Sequence, residues 1–432
     1  MKTNVKQKSP PIFTHEGAVA AHINPYQQLR RSVLACLLFE TEFYEDGQEI
    51  AKRIIDTAAL CTPEQVAALA VAARRTFGLR HAPLLLLLDL IKRGGKLAGD
   101  TIANTVKRAD DLTELVALYW KFNPGKPLTK QMKIGLGRSL LRFDAYGLAK
   151  YNRDGAVKLR DILFLTHAKP EGEAQEVLFK QLAENALPIP DTWETELSAG
   201  KDKRETFTRL LNEGKLGYLA LLRNLRNMTE AGVDTGLIKA AILARKGADL
   251  VFPFRYTAAA RIVPQLEREL DQALIASVKG NAFSGKTIVL VDVSGSMDAQ
   301  LSGKSDLKRQ DAAATLASVI DGDVRVAVFD TGVIEVPHRL GMAGVDAILK
   351  RHGGGTDIDQ AVRWANRQPH DRLIVITDEQ SATRVSAPVA KHAYMINVAS
   401  NRNGVGYNNG WRHLDGFSEA VLRYINAIES EA

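Results

Sequence analysis

Cysteine is nearly absent. The 432-residue chain has two, Cys36 and Cys61, and neither belongs to a CxxC pair or a Cys/His cluster. This excludes a disulfide scaffold or zinc ribbon and leaves two core thiols of a reducing compartment, each in a stretch patterned as an amphipathic helix. Long apolar runs are missing too. The longest, Pro83 to Ile91, contains Asp89 and is about half of what a membrane span requires. Met1 to Gly17 is polar and contains proline, so no charged-then-apolar leader is read there. With 33 glycines and 15 prolines the chain is neither collagen-like nor low in complexity. Catalytic signatures are also lacking. There is no nucleophile elbow, and Gly285-Lys286-Thr287 lacks the upstream glycine spacing of a Walker loop. These absences point to a soluble, cytoplasmic protein that is not an enzyme and has no membrane partner.

What remains is an ordinary globular composition, 45% hydrophobic and 25% charged, in a length that suits two or three domains. The net charge of +7 is unevenly placed: Phe283 to Ala432 sums to −2, and the rest of the chain to +9. A basic region joined to a near-neutral one suggests a polyanion partner for the first.

Hydrophobic spacing divides the chain at the same place. Gln27 to Phe39, Gln48 to Leu60, Glu64 to Thr76, Ala82 to Lys92 and Leu112 to Trp120 repeat apolar residues every three or four positions. Thr62-Pro63-Glu64-Gln65 reads as a capped helix start. No alternating strand interrupts this regime, and helix pairs of roughly 40 residues suggest an α-solenoid. After Asn281 the pattern changes. Thr287 to Asp292, Val324 to Phe329, Leu373 to Ile376 and Ala393 to Val398 read as buried strands. Leu307 to Ile320, Val345 to Arg351, Asp359 to Asn366 and Val421 to Ile428 read as helices. This alternation predicts a doubly wound α/β sheet with ligands at the carboxyl ends of its strands. The expected architecture is multidomain, with an all-α helical-repeat domain at residues 1–282 and an α/β domain at 283–432.

Asp292-Val293-Ser294-Gly295-Ser296 follows the first of these strands and places a carboxylate and two hydroxyls in one loop. Gly353-Gly354-Gly355-Thr356 offers another hydroxyl, and Ile376-Thr377-Asp378 a second carboxylate at the same sheet edge. Hard oxygens in this mixture suit Mg2+, which takes few carboxylates and keeps waters. The three pieces in order resemble the metal-ion-dependent adhesion site of von Willebrand factor A domains. That resemblance implies Asp292, Ser294, Ser296, Thr356 and Asp378 as ligands of a divalent metal, with one position open to an acidic group. His338 and His352 read as solvated loop residues.

Between Lys121 and Lys169 stand 11 Lys/Arg against 3 Asp. Lys126, Lys130 and Lys133 fall near one helical face, and Arg138 and Arg142 follow. Such a surface neutralises phosphates, and Tyr146 and Tyr151 could stack on bases. A solvated helix face with core tyrosines accounts for the pattern equally well. Further on, Arg223, Asn224 and Arg226 form a polar stripe opposite leucines. The stripe fits an RNA-facing wall or a network between helices. His167 is placed as a helix-end histidine.

Thr14-His15-Glu16-Gly17, Gln27-Gln28-Leu29-Arg30-Arg31-Ser32-Val33-Leu34, Phe43-Tyr44-Glu45-Asp46-Gly47 and Ala220-Leu221-Leu222-Arg223-Asn224-Leu225 resemble signature stretches of the TROVE domain. With an A domain following, the layout resembles the Ro autoantigen family, whose members are HEAT-like helical-repeat rings. The resemblance implies a monomeric ring that binds Y-like small noncoding RNA on its basic outer surface. It also implies that 3′ ends of misfolded RNA are held in the cavity for RNA quality control, with a 3′ exonuclease as a further partner. Lys150 and His167, 17 residues apart, match a lysine and a histidine of the family's Y RNA contacts, with Tyr151 beside them. Arg223, Asn224 and Arg226 would help shape the cavity-side wall. The stretch between Lys150 and His167, Gly155-Ala156-Val157-Lys158, departs from the family pattern. The competing expectation is a protein-interaction scaffold in which the A domain's metal grips an acidic side chain of a partner.

Overall fold

The computed structural model describes residues 10–35, 47–277, 282–302, 305–351, 353–407, 409–418 and 420–430. Cys36, His352 and Phe43 to Asp46 lie outside them. The chain forms two compact units, and their packing does not follow a single cut at 282/283. One unit comprises Met1–Ile50, Phe252–Thr257 and Leu274–Ala432; the other comprises Ala51–Val251 and Ala258–Ala273. No described helix is long and apolar enough to cross a membrane.

The second unit is helical, with no strand among its described residues. Its helices start where side chains can replace missing backbone partners. Thr62 accepts from the Gln65 amide at 3.3 Å, the Gln65 side chain accepts from the Thr62 amide at 3.0 Å, and Pro63 opens the Pro63–Arg75 helix. Buried charge holds the next turns together. Arg74 donates to Asp111 at 2.6 Å, and the same carboxylate accepts the amides of Lys107 and Arg108 at 3.0 Å each. Arg80 and Arg108 converge on Asp110 at 2.7 and 2.6 Å. The Lys96–Thr105 and Lys130–Leu140 helices cross backbone to backbone. A Cβ at Gly135 would meet Gly99 O and Ile102 Cβ at 2.7 Å, so only glycine admits this approach. Cys61 is buried and unbridged, its Sγ 3.4 Å from Thr57 O, and burial pushes its thiol pKa up.

The first unit is built on a six-stranded sheet. Its strands are β1 (Ala282–Asp292), β4 (Asp321–Phe329), β5 (Val333–Val336), β6 (Arg372–Thr377), β7 (His392–Asn397) and β8 (Arg412–Asp415). The order is β5-β4-β1-β6-β7-β8, parallel throughout except for β5, which pairs antiparallel with β4. β2 (Gln300–Ser302) and β3 (Ser305–Lys308) form a separate hairpin. The expected helix at Leu307 to Ile320 therefore begins as strand, and its helical part is Arg309–Ala317. Every residue of that helix is buried, so its sequence shows no polar face to mark where it starts. On one sheet face Ile288, Leu290, Phe329, Leu373 and Met395 pack with Ile358 and Val362 of the Ile358–Asn366 helix. The chain leaves β1 for β4 on one side and reaches β6 on the other. The carboxyl end of β1 is thus a topological switch point, the place where open α/β sheets bind ligands.

Candidate metal centre and cationic helical surface

At that switch point the expected metal residues come together. Asp292 ends β1, Asp378 follows β6, and both carboxylates are fully buried. The Ser294 amide donates to Asp292 Oδ1 at 2.9 Å, and the Thr377 hydroxyl donates to Asp292 Oδ2 at 2.5 Å. Ser294 and Ser296 hydroxyls stand 3.4 Å apart, both buried. The glycine loop is tied in by the Gly295 amide, which donates to Gly354 O at 3.0 Å, and the Gly353 amide, which donates to Val293 O at 3.1 Å. Thr356 is buried, and its carbonyl accepts the Ala382 amide at 2.8 Å.

These residues fit a hard divalent cation. Asp378 Oδ2 is buried with no hydrogen-bond partner, which a bound cation would satisfy. Burial first, and the neighbouring Asp378 second, push the Asp292 carboxyl well above the ordinary carboxylate range. One buried cation already faces the pair: Arg309 Nη1 lies 3.8 Å from Asp378 Oδ2. A single guanidinium against two carboxylates leaves negative charge uncompensated. Among the described residues no group of three or more His, Cys, Asp or Glu gathers; the candidate donors are the two carboxylates and the hydroxyls of Ser294, Ser296 and Thr356. When bound, Mg2+ would supply a charged Lewis-acid centre; Asp292, Ser294, Ser296, Thr356 and Asp378 would hold it.

The loop after Asp378 is clamped from the N-terminal segment. Arg31, in the Pro25–Leu34 helix, is fully buried and ion-paired with the equally buried Glu379. Its Nε donates to Asn401 O at 2.6 Å. Glu379 also accepts the Gly406 amide at 2.7 Å and lies 2.9 Å from His413 Nε2, and Tyr407 stacks on His413. Burial pushes the Glu379 carboxyl up, but Arg31 and His413 outweigh it and bring it down to about 2. Glu379 has φ +61°, a left-handed conformation costly for a residue with a side chain. The ion pair and hydrogen bonds hold it there.

The cationic residues of the helical unit separate by whether they are already engaged. Lys126 lies in the loop before the Lys130–Leu140 helix, not on it, because Thr129 caps that helix. Lys126, Lys130, Lys133, Arg223 and Arg226 have no ion pair or side-chain hydrogen bond among the described residues; Lys126, Lys130, Arg223 and Arg226 are exposed, and Lys133 is half-buried. Arg138 pairs with Asp100 at 2.6 Å, and Arg142 donates to Val106 O at 3.1 Å. Lys150, in the last turn of Ala145–Tyr151, lies over the rings of Tyr146 and Tyr151. Arg108 covers Tyr151 at 4.5 Å. His167 is exposed and caps Leu159–Thr166 in the left-handed region, at the helix end where the sequence places it. Asn224 needs correction as an RNA-facing residue. It is buried, donates to Ala220 O at 2.9 Å and accepts from Asn227 at 3.0 Å. Its polarity serves the helix interior while Arg223 and Arg226 face solvent.

Two stretches of the chain match known domain families. Residues 182–279 match the TROVE domain model, and residues 277–393 match the model of the VWA domain containing CoxE-like protein. The first of these stretches is similar to a TROVE domain and the second to a VWA domain. The TROVE match is followed directly by the VWA match. The structure of the Deinococcus radiodurans RO (RSR) protein aligns at a TM-score of 0.59 and 17% identity, covering 94% of this chain and 99% of that one. The chain therefore shares the Ro fold. Telomerase protein component 1 of Mus musculus is 34% identical over 89 residues, and that of Rattus norvegicus 33%. These spans are 19% of this chain and 3% of either relative.

Sequence reading missed Arg31, Arg309 and Glu379 as surroundings of the candidate metal residues. A run such as Leu29-Arg30-Arg31-Ser32-Val33 gives one available signal, an arginine on the apolar face of an amphipathic helix. Arg309 gives none, because everything around it is equally buried.

Proposed function

We propose that this chain is a non-enzymatic, cytoplasmic RNA-binding protein of a ribonucleoprotein. Its helical unit holds small structured noncoding RNA of Y type, and single-stranded 3′ ends of misfolded or damaged RNA, in RNA quality control. The observation that carries this reading is the set of exposed cations, Lys126, Lys130, Arg223 and Arg226, that have no acidic partner among the described residues, in a chain with a TROVE match. Exposed cations with no acidic partner among the described residues are available to phosphates, and releasing counterions from RNA drives that pairing. Lys150 and His167 add contacts, and the exposed Tyr146 ring beside Lys150 offers a stacking surface. A 3′ exonuclease is the protein partner this role calls for.

Filter binding to a structured small RNA, with and without EDTA, tests the reading. Metal-independent binding that weakens with salt supports it. Absence of binding at physiological salt favours the scaffold alternative, in which the VWA metal grips a partner's acidic side chain. Lys150→Ala should weaken binding several-fold and reduce the slope of log K against log salt by about one. An unchanged slope would remove Lys150 from the interface. Arg138→Ala should change the slope less, because Asp100 already neutralises that guanidinium.

A further inference from the structure

The Arg309–Ala317 helix starts against the serine loop of the candidate metal centre. Gly295–Asp298 forms a short 3-10 turn that carries Ser296. One oxygen of Asp298, the last residue of this turn, accepts from Lys308 Nζ at 2.6 Å and from Gln310 Nε2 at 2.9 Å. The Arg309 amide donates to Ala299 O at 2.9 Å, and the Lys308 amide to Asp311 Oδ2 at 2.8 Å. The residues on both sides of Arg309 are thus fastened to the turn that follows Ser294. The helix start cannot withdraw from the site without breaking these bonds.

Arginine is a costly residue for this place. Arg309 is 2% exposed, and it takes the first helical position, where the backbone dipole already presents positive charge. Burial and dipole both oppose a cation there, so facing acidic groups must hold it. Asp378 is one of them, with its Oδ2 3.8 Å from Arg309 Nη1. That separation is within ion-pair reach but too long for a hydrogen bond. Asp378 Oδ2 accepts no hydrogen bond among the described residues. The guanidinium therefore offsets the cost of burying the carboxylate without taking up the oxygen a metal would use. By the same Coulomb interaction it repels a divalent cation that approaches Asp378.

We propose that Arg309 is a built-in counter-cation of the candidate metal site. It lets the α/β unit fold whether or not the ion is loaded, and it holds the site's affinity for a divalent metal low. This inference rests on the metal reading of Asp292, Ser294, Ser296, Thr356 and Asp378, and the experiment separates the two. Mn2+ is titrated into the full chain, and the free ion is read by EPR. The wild type is compared with Arg309→Met, Arg309→Lys and Asp292→Ala. Arg309→Met should bind Mn2+ about 10-fold more tightly than the wild type, because a neighbouring positive charge is gone. A variant that merely loosened the site would move the other way. Arg309→Lys keeps the charge and should bind as the wild type does. In EDTA the thermal midpoint of Arg309→Met should fall below that of the wild type, and Mg2+ should raise it more than it raises the wild type. If Arg309→Met does not fold, Arg309→Gln takes the same test. Wild-type binding with no gain in the neutral variant would overturn the proposal while the metal site stands. A gain in Arg309→Lys equal to that of Arg309→Met would overturn it too, since charge would not be the cause. No Mn2+ binding by either the wild type or the neutral variant, or undiminished binding by Asp292→Ala, would overturn the metal reading and the proposal with it.

Discussion

Replacing Arg31 by methionine should destabilise the α/β unit by about 3–5 kcal/mol, the range for breaking a buried ion pair from one side. Neither Arg31 nor Glu379 has any solvent-exposed side-chain surface. The loss comes less from the attraction removed than from the carboxylate left behind, which keeps the Gly406 amide and His413 as partners but loses its cation. Removing both charges should therefore be milder than removing one, and Arg31→Met/Glu379→Gln should recover part of the stability. Acid should act on the same pair. Glu379 is held at about 2 in the fold, against an ordinary value of about 4.3. A depressed carboxylate contributes stability that is present above the unfolded value and disappears as pH falls from about 4.3 through about 2. That portion of the acid limb should be flatter in Arg31→Met. Urea unfolding followed by near-ultraviolet circular dichroism measures both effects. A midpoint equal to that of the wild type at pH 7 would show that the pair contributes nothing net.

The sheet was legible because its central strands are buried on both faces. β1, β4, β6 and β7 are short apolar runs, and each strand read from the sequence lies inside its observed bounds apart from Val398, one residue beyond β7. β5 escaped notice because it is a four-residue edge strand with two exposed positions, too short for a period of two to register. The meeting of Asp292 and Asp378 at one sheet edge was legible for a related reason. A parallel strand delivers its next residue to one edge of the sheet, so position in sequence predicts position in space for Asp292 and Asp378. Arg31 belongs to another class. Its environment is made by residues more than 330 positions away, such as Glu379, and local periodicity records only that a helix forms. The same limit applies to Asn224. Adjacency in sequence put it with Arg223 and Arg226, which are three apart, but one step of about 100° around a helix separates a buried residue from its exposed neighbour.

Truncation of Phe417 to alanine should have a comparable effect, about 3–5 kcal/mol, for a different reason. Phe417 is 3% exposed and meets the rings of Phe252 and Phe254 edge-on, with centroids 5.8 and 5.7 Å away; Phe252 and Phe254 stack at 5.4 Å. Phe252 and Phe254 lie within the TROVE match, yet Phe252–Thr257 packs in the same compact unit as the sheet. The neighbouring Thr257 and Thr315 hydroxyls, buried and 3.0 Å apart, add a polar contact to the same packing. A cavity left by Phe417→Ala cannot be filled cheaply, because its walls are set by two chain segments with their own hydrogen bonds. Phe417→Leu, which keeps most of the volume, should cost less than half as much. Phe417→Leu and Phe254→Leu should also couple by about 0.5–1.5 kcal/mol, the range for an edge-to-face pair beyond its buried area. Strict additivity of the two leucine variants in urea unfolding would mean that the rings are merely adjacent. Coupling would instead identify the aromatic trio as the seam by which a piece of the TROVE sequence becomes part of the VWA unit's core.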